Sequence, residues 1–394
     1  MSTRDDELTQ EIARRAQEAL SRRQFLGRAG LLFGGLAVAP TVLAACGSGS
    51  SSKTGSGGGG KSVSVSNWTH YMTDQSEKDF QKVTGIKLTY TEDINDNNES
   101  FAKYRPNLSK NQSIGRDGFV FTDWMANRMI NEVKWVQPFD AAKFPNLANL
   151  RAALKSPGFD PTRKYSAPWA SGMTGIAYNI KSTGKEVKTI EDFLAVSGTK
   201  TVLTEMRDTV GLFMRSMGID TASPSYAAAQ PAFDALEKAV SDGRIKGFNG
   251  NEYVSDLAAG NLAAAFAWSG DVSQITKDNP DIRFALPESG GMLWSDNFMI
   301  PKPSDKADLA SEWINFFYDP ANAAVLTAEI QYVSPVDGVA DELTKLGGDA
   351  AKLVENPLVV PTDESLKDLA IFGPLDETEE EIFDKRFSKI LGSG

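Results

Sequence analysis

A chain of 394 residues with a single cysteine, Cys46, can form no internal disulfide. Whatever folds here must be held together by apolar burial alone. One histidine, His70, accompanies it. Together these scarcities remove most familiar site chemistry. A zinc site would need carboxylates around a lone imidazole, which is unusual. Ser-His-Asp or Cys-His catalysis would have to run through His70, which reads instead as a solvated rim residue. No phosphate-binding glycine loop of the Walker or dinucleotide type is present. No cofactor and no metal are expected.

Cys46 closes the run Leu43-Ala44-Ala45-Cys46, the order of a bacterial lipoprotein signal. Upstream, Arg22 and Arg23 sit in Ser21-Arg22-Arg23-Gln24-Phe25-Leu26, the adjacent pair of a twin-arginine export signal. The apolar stretch from Ala29 to Ala45 is diluted by glycines and Pro40. It is weaker than the ~20 apolar residues of a membrane span. An uncleaved N-terminal anchor is the alternative, and either reading puts the remainder outside the cytoplasm. Residues 1–45 therefore read as a signal peptide. Residues 46–60 read as a lipidated Cys46 followed by a Gly/Ser tether, with a reach on the order of 20 Å. The expected place is the outer face of the cytoplasmic membrane.

Residues 1–45 carry six Lys/Arg and five Asp/Glu, so their removal takes the net charge from −11 to −12. An acidic surface argues against nucleic acid, whose phosphates need clustered Lys and Arg. It is weakly compatible with a cationic ligand, since surface acidity most often serves solubility alone.

From Lys61 onward the pattern is alternating α/β. Val63–Ser66 alternates and ends at Trp68. Asp74–Thr84 is helical and stops at Gly85. Ile86–Tyr90 is a second strand, and Asn98–Leu108 a helix that Pro106 interrupts. Gly118–Phe121 is a strand ending at Thr122-Asp123-Trp124. This order predicts a parallel sheet with ligands at the carboxyl ends of its strands. Tyr165–Asn179 is strand-like, broken by Gly172 and Gly175. Further strands are expected at Thr201–Thr204, Ala263–Trp268, Ile282–Leu286 and Leu293–Ile300, with Ser269-Gly270-Asp271 as a turn. Helices are expected at Arg207–Met217, Ala227–Val240, Tyr253–Ala259, Leu309–Phe317, Ala321–Ile330 and Asp376–Leu391. Two α/β lobes follow.

Tryptophans recur at the predicted strand ends beside acids. Asp123 abuts Trp124, Asp271 follows Trp268, and Asp296 follows Trp294; Glu205 and Asp208 stand just past the strand 201–204. An indole face attracts alkylammonium groups, by about 2 kcal/mol when desolvated. Carboxylates accept charge-assisted hydrogen bonds from N–H groups. Each residue also has a plainer reading, the tryptophans as core and the acids as helix caps. The residues themselves indicate a two-lobed extracytoplasmic binding protein that leans toward a cationic ligand.

Short runs then accumulate in a recognisable order: Asn67-Trp68-Thr69-His70-Tyr71, Thr84-Gly85-Ile86, Asn98-Glu99 with Ala102-Lys103, Pro145-Asn146, Tyr165-Ser166-Ala167-Pro168, Gly172-Met173-Thr174-Gly175-Ile176, Trp268-Ser269-Gly270-Asp271, and Gly290-Gly291-Met292-Leu293-Trp294-Ser295-Asp296 followed by Ile300-Pro301. From Val63 to Leu391 the chain resembles the substrate-binding lipoproteins of bacterial polyamine ABC importers, the spermidine- and putrescine-binding proteins. The resemblance implies a periplasmic-binding-protein fold of the class II type, with a ligand cleft between lobes joined by a hinge. Lobe I would comprise 61–168 and 296–338, and lobe II 172–293 and 341–394.

It further implies that Trp68, Trp268 and Trp294 sandwich a methylene chain. Thr69, Tyr71 and Thr122 would line the wall, with Trp124 where the family often has Tyr. Glu205 and Asp208 would meet amines from the second lobe, Asp296 would grip an ammonium end, and Asp271 resembles an acid of the putrescine branch. Tyr332 would add an aromatic. His70 replaces an acid of that branch, and Ser388 stands where the spermidine branch has a glutamine. A monomeric, non-enzymatic receptor serving an ABC permease is the expectation. A sugar or amino-acid receptor, a signalling ectodomain, and a glycoside hydrolase using Glu205 and Asp208 are the alternatives.

Overall fold

The computed structural model describes residues 61–392. Arg22, Arg23, Cys46 and the tether lie outside the described residues. The first half opens with β1 (Ser62–Trp68), α1 (Asp74–Thr84), β2 (Lys87–Ile94), α2 (Asn97–Leu108), β3 (Gly118–Thr122) and the short helix α3 (Asp123–Asn127). After β4 (Val136–Gln137), the long strand β5 (Ala167–Asn179) leads into a second α/β run. That run contains β6 (Lys200–Leu203), α4 (Met206–Ser216), α5 (Tyr226–Ser241), β7 (Gly247–Asn249), α6 (Tyr253–Ala258), β8 (Ala264–Trp268), α7 (Ser269–Asp278) and β9 (Ile282–Ala285). β10 (Gly291–Pro301) returns across the molecule, followed by α8 (Ala307–Phe317), α9 (Pro320–Ile330), α10 (Val339–Leu346), β11 (Leu369–Ala370) and α11 (Glu377–Leu391).

The described strands form one 11-stranded sheet whose main path runs β2-β1-β3-β10-β5-β8-β6-β7, with β4 and β11 also paired to β10 and β9 to β5. At one end β1 pairs in parallel with β2 and β3. At the other, β6 pairs in parallel with β7 and β8. Between these ends β10 runs antiparallel to both β3 and β5, and β5 antiparallel to β8. The parallel expectation therefore holds at both ends, and two antiparallel strands connect them. As in other α/β sheets, the parallel strands point their carboxyl ends toward one place.

Local chemistry explains the boundaries. Thr73 caps α1 by accepting from the Ser76 N–H, Asp74 and Glu77 occupy the first turn, and Lys82 the last. Gly85 ends the helix at φ 68° and returns its N–H to the Gln81 carbonyl. A Cβ on Gly85 would touch nothing within 4 Å, so its penalty is purely conformational. Gly85→Ala is expected to lower stability by about 1 kcal/mol, read as a lower urea midpoint at unchanged slope. The apolar faces meet in a continuous core. Trp313 on α8, fully buried, stacks on Trp169 of β5 at 4.8 Å and 8°, with the Phe317 ring edge-on to both.

Three expectations are corrected. Pro106 does not interrupt α2, which continues to Leu108. The carbonyl that loses its donor belongs to Ala102, which is exposed to solvent. Gly172 and Gly175 do not break β5, which is continuous over 13 residues. A Cβ on Gly172 would lie 2.4 Å from the Trp294 ring, so the glycine marks close packing of that indole on the strand. Ser269-Gly270-Asp271 is not a turn but the first turn of α7.

Candidate ligand cavity

A cavity of about 480 Å³ opens where the strand ends converge. Every predicted ligand residue except Thr69 and Asp271 lines it: Trp68, Tyr71, Thr122, Trp124, Glu205, Asp208, Trp268, Trp294, Asp296 and Tyr332. Trp68, Thr122 and Trp268 are the last residues of β1, β3 and β8, and Glu205 lies just beyond β6. Trp294 and Asp296 come from the crossing strand β10, and Tyr332 from the segment after α9. Residues far apart in the chain thus reach one volume through a single rule of sheet topology.

The aromatic wall is continuous. Trp68 meets Trp268 edge-on at 5.9 Å, Trp268 meets Trp294 at 6.5 Å, and Trp294 meets Tyr332 at 5.8 Å. Tyr332 then meets Tyr71 at 4.9 Å. These tilted and edge-on pairs are favourable for ring quadrupoles. Trp124 is different: the Arg207 guanidinium lies over its ring at 3.6 Å and is also paired with Glu380. One face of that indole is already occupied by an internal cation.

The carboxylates are held by donors rather than by cations. Asp296 accepts from the Thr122 hydroxyl through Oδ1 and from the Tyr71 hydroxyl through Oδ2, both at 2.7 Å. Asp208 accepts from Thr174 Oγ1 at 2.7 Å and from the Trp268 indole N–H at 3.0 Å. Thr174 in turn accepts from the Trp294 indole N–H at 3.0 Å, which fixes that ring. Glu205 Oε1 accepts from both the backbone and the side-chain nitrogen of Asn97, at 2.7 and 2.9 Å. Asn97 begins α2 on the far side of the cavity, so this carboxylate bridges the two halves of the sheet.

Burial away from water disfavours the ionised acids. It pushes Asp296 up to about 7, against the hydrogen bonds from Thr122 and Tyr71 that favour ionisation. Asp208 is pushed up to about 6 in the same way, opposed by Trp268 and Thr174. Desolvation and then the neighbouring Asp96 raise Glu205 well above the usual carboxylate range. The cavity thus combines aromatic walls with carboxyls whose ionisation desolvation opposes and hydrogen bonds favour.

Thr69 is half-buried and stands outside the lining. Asp271 also lies behind it: Oδ1 accepts from the Tyr332 hydroxyl at 2.7 Å and Oδ2 from Tyr253 at 2.6 Å. Any effect on a ligand would be indirect, through the Tyr332 ring. Asp271→Asn keeps the shape but can accept from only one of those hydroxyls. Ligand affinity should fall by about fivefold, near 1 kcal/mol, in titration calorimetry. His70 is exposed, with φ 64°.

Sequence reasoning missed several residues. Thr174, Asn97 and Asn297 orient the acids, and each would pass for an ordinary polar residue of a strand or helix start. Met292, Arg207 and Asn251 also line the cavity, as do Phe159 and Phe372 at loops. In the sequence Asp123 stands out only as the neighbour of Trp124.

The model of bacterial extracellular solute-binding proteins matches residues 75–358. The putrescine-binding periplasmic protein PotF of Escherichia coli (strain K12) is 25% identical over 323 residues, covering 75% of this chain and 82% of that protein. The spermidine/putrescine-binding periplasmic protein 1 of Haemophilus influenzae is 24% identical over 308 residues, covering 77% and 82%. Among solved structures, the spermidine/putrescine ABC transporter substrate-binding protein PotD of Streptococcus pneumoniae superposes with a TM-score of 0.67 at 24% identity, over 84% of this chain and 99% of that one. That likeness speaks for the two-lobed periplasmic-binding-protein fold. With the strand-end cavity and the match over most of the folded body, this chain belongs to the bacterial extracellular solute-binding proteins, receptors of transporters and not enzymes.

Proposed function

We propose that this protein captures a polyamine of the spermidine/putrescine class outside the cytoplasm and delivers it to an ABC-type permease. The carrying observation is the cavity itself, in which the half-buried Asp208 and the buried Asp296 face a continuous wall of Trp68, Trp268, Trp294 and Tyr332. Ammonium groups would pair with the acids, and the methylene chain would lie against the rings. The names of the relatives support this reading. Lobe I would comprise 61–168 and 296–338 and lobe II 172–293 and 341–394, joined by a hinge, with the protein acting as a monomer. Cys46 would carry the lipid after export through the twin-arginine route, holding the receptor near its permease.

The test is titration calorimetry against spermidine and putrescine, with a neutral disaccharide as control. Saturable binding of an amine at one site per chain is expected, with no heat from the sugar. Sugar binding without amine binding would overturn the reading.

A further inference from the structure

Four carboxylates line the cavity, those of Asp123, Glu205, Asp208 and Asp296. Asp208 and Asp296 each direct both oxygens at protein donors, and Glu205 is clasped by Asn97. Asp123 is less committed. Its Oδ1 accepts from Asn297 Nδ2 at 2.6 Å, and no second protein donor among the described residues reaches the carboxylate.

The direction of that bond is determined. Asn297 Oδ1 accepts from Arg163 Nη1 at 2.8 Å, and a guanidinium can only donate. The amide therefore turns its nitrogen toward Asp123, which must accept. Arg163 cannot swing away, since its Nε donates to the Leu154 carbonyl at 2.8 Å and Nη1 also to Ser166 Oγ at 3.0 Å. Arg163 and Asn297 are both buried. A positive charge is thus relayed through an oriented amide to one oxygen of Asp123, which favours the carboxylate, while burial works the other way and pushes the group up to about 6.

The other groups at the cavity bear on the charge count. Arg207 is the one cation in the lining among the described residues, and Glu380 already neutralises it. Asp208 raises the proton affinity of both Glu205 and Asp296, and Asp123 adds to the effect on Asp296. A diamine brings two ammonium groups to these four acids and leaves two of them without a partner in a desolvated site. A third ammonium halves that imbalance, and Asp123 keeps an oxygen that no described protein donor reaches.

We propose that Asp123 is an ammonium-binding residue that biases this cavity toward amines with three or more positive charges over diamines. The inference rests on the polyamine reading above and adds a preference and a residue to it.

The experiment is calorimetry at pH 8 on the full-length protein and on Asp123→Asn and Asp123→Ser, with spermidine and putrescine as probes. The unaltered protein should bind spermidine about tenfold or more tightly than putrescine. Both variants should lose affinity for spermidine at least about fivefold more than for putrescine, so that the preference collapses. Equal losses for the two amines, or no loss, would overturn the role of Asp123 while leaving the polyamine reading intact. Absence of binding by the unaltered protein to either amine would instead remove that reading and this one with it. Thermal melts of both variants show whether each is folded, and a matched result from two different neutral side chains separates lost charge from lost shape.

Discussion

Asp296→Asn should weaken amine binding by about 2–5 kcal/mol, because an ammonium is then left unpaired in a buried site. The substitution is nearly isosteric. The amide oxygen can still accept from Thr122 or Tyr71, and the other hydroxyl can rotate to accept from the new NH₂ group. The wall therefore persists while its charge disappears. The ligand-free protein should respond in the opposite direction. Above pH 7 it carries Asp296 as a buried anion satisfied only by hydroxyls, which is unfavourable. Removing that charge should raise the melting temperature of the free protein while affinity collapses. Calorimetry and a melt on the same preparation read both changes. Unaltered affinity would take Asp296 out of the binding site.

Acidification should reproduce this loss without any mutation. Asp296 has been pushed up to about 7, and Asp208 and Asp123 to about 6, chiefly by burial. Ammonium binding needs these acids ionised. Affinity should be flat near pH 8 and fall by about tenfold per pH unit for each acid that has protonated. Between pH 8 and pH 5 the expected loss is at least about a hundredfold, from Asp296 alone. A neutral sugar in the same cavity would show almost no such slope.

The stability of the ligand-free fold has the reverse dependence. A carboxyl whose folded pKa lies above its unfolded value binds its proton more tightly when folded. Its unfavourable contribution is fully present above about pH 7 and disappears as pH falls toward the ordinary value of 3.8. The free protein should therefore gain stability from these acids between pH 7 and 4, while the complex loses affinity over the same range. Melts with and without spermidine would lie far apart near pH 8 and converge as pH falls through that window. Parallel curves would show that the acids do not meet the ligand.

What the chain reveals before folding depends on how local each signal is. The strand ends at Trp68, Thr122 and Trp268 are legible because an alternating run stops at the first and a short apolar run at each of the others, and sheet topology then carries them to one cavity. The helix at Asp74–Thr84 is legible through its cap, its charges and Gly85. The two connecting strands are harder. The pairing of β10 with β5 depends on Trp294 packing on Gly172, and a glycine read locally looks like a break. The partners of the acids are harder still. Asn97 matters because of Glu205, and Asn297 because of Asp123 and Arg163, all of them remote in the chain. Asp271 shows the converse. Three residues past Trp268 it looked adjacent to the ligand, but the helix begins at once and its carboxylate is turned toward Tyr253 and Tyr332.

β10 pairs with β3 through Asp296–Met299 and with β11 through Gly291–Met292, so a single strand serves both halves of the sheet. Beside it β5 makes the same crossing. The halves are thus joined by a two-stranded ribbon, which resists stretching along its ladder and yields to torsion. The ladder slips register between Asp296 and Asn297, and a ribbon is most compliant where a rung is irregular. The acid that faces the cavity sits at that soft rung. A cation clasped between Asp296 and Asp208 would brace the ribbon there, so an occupied receptor would be torsionally stiffer than an empty one.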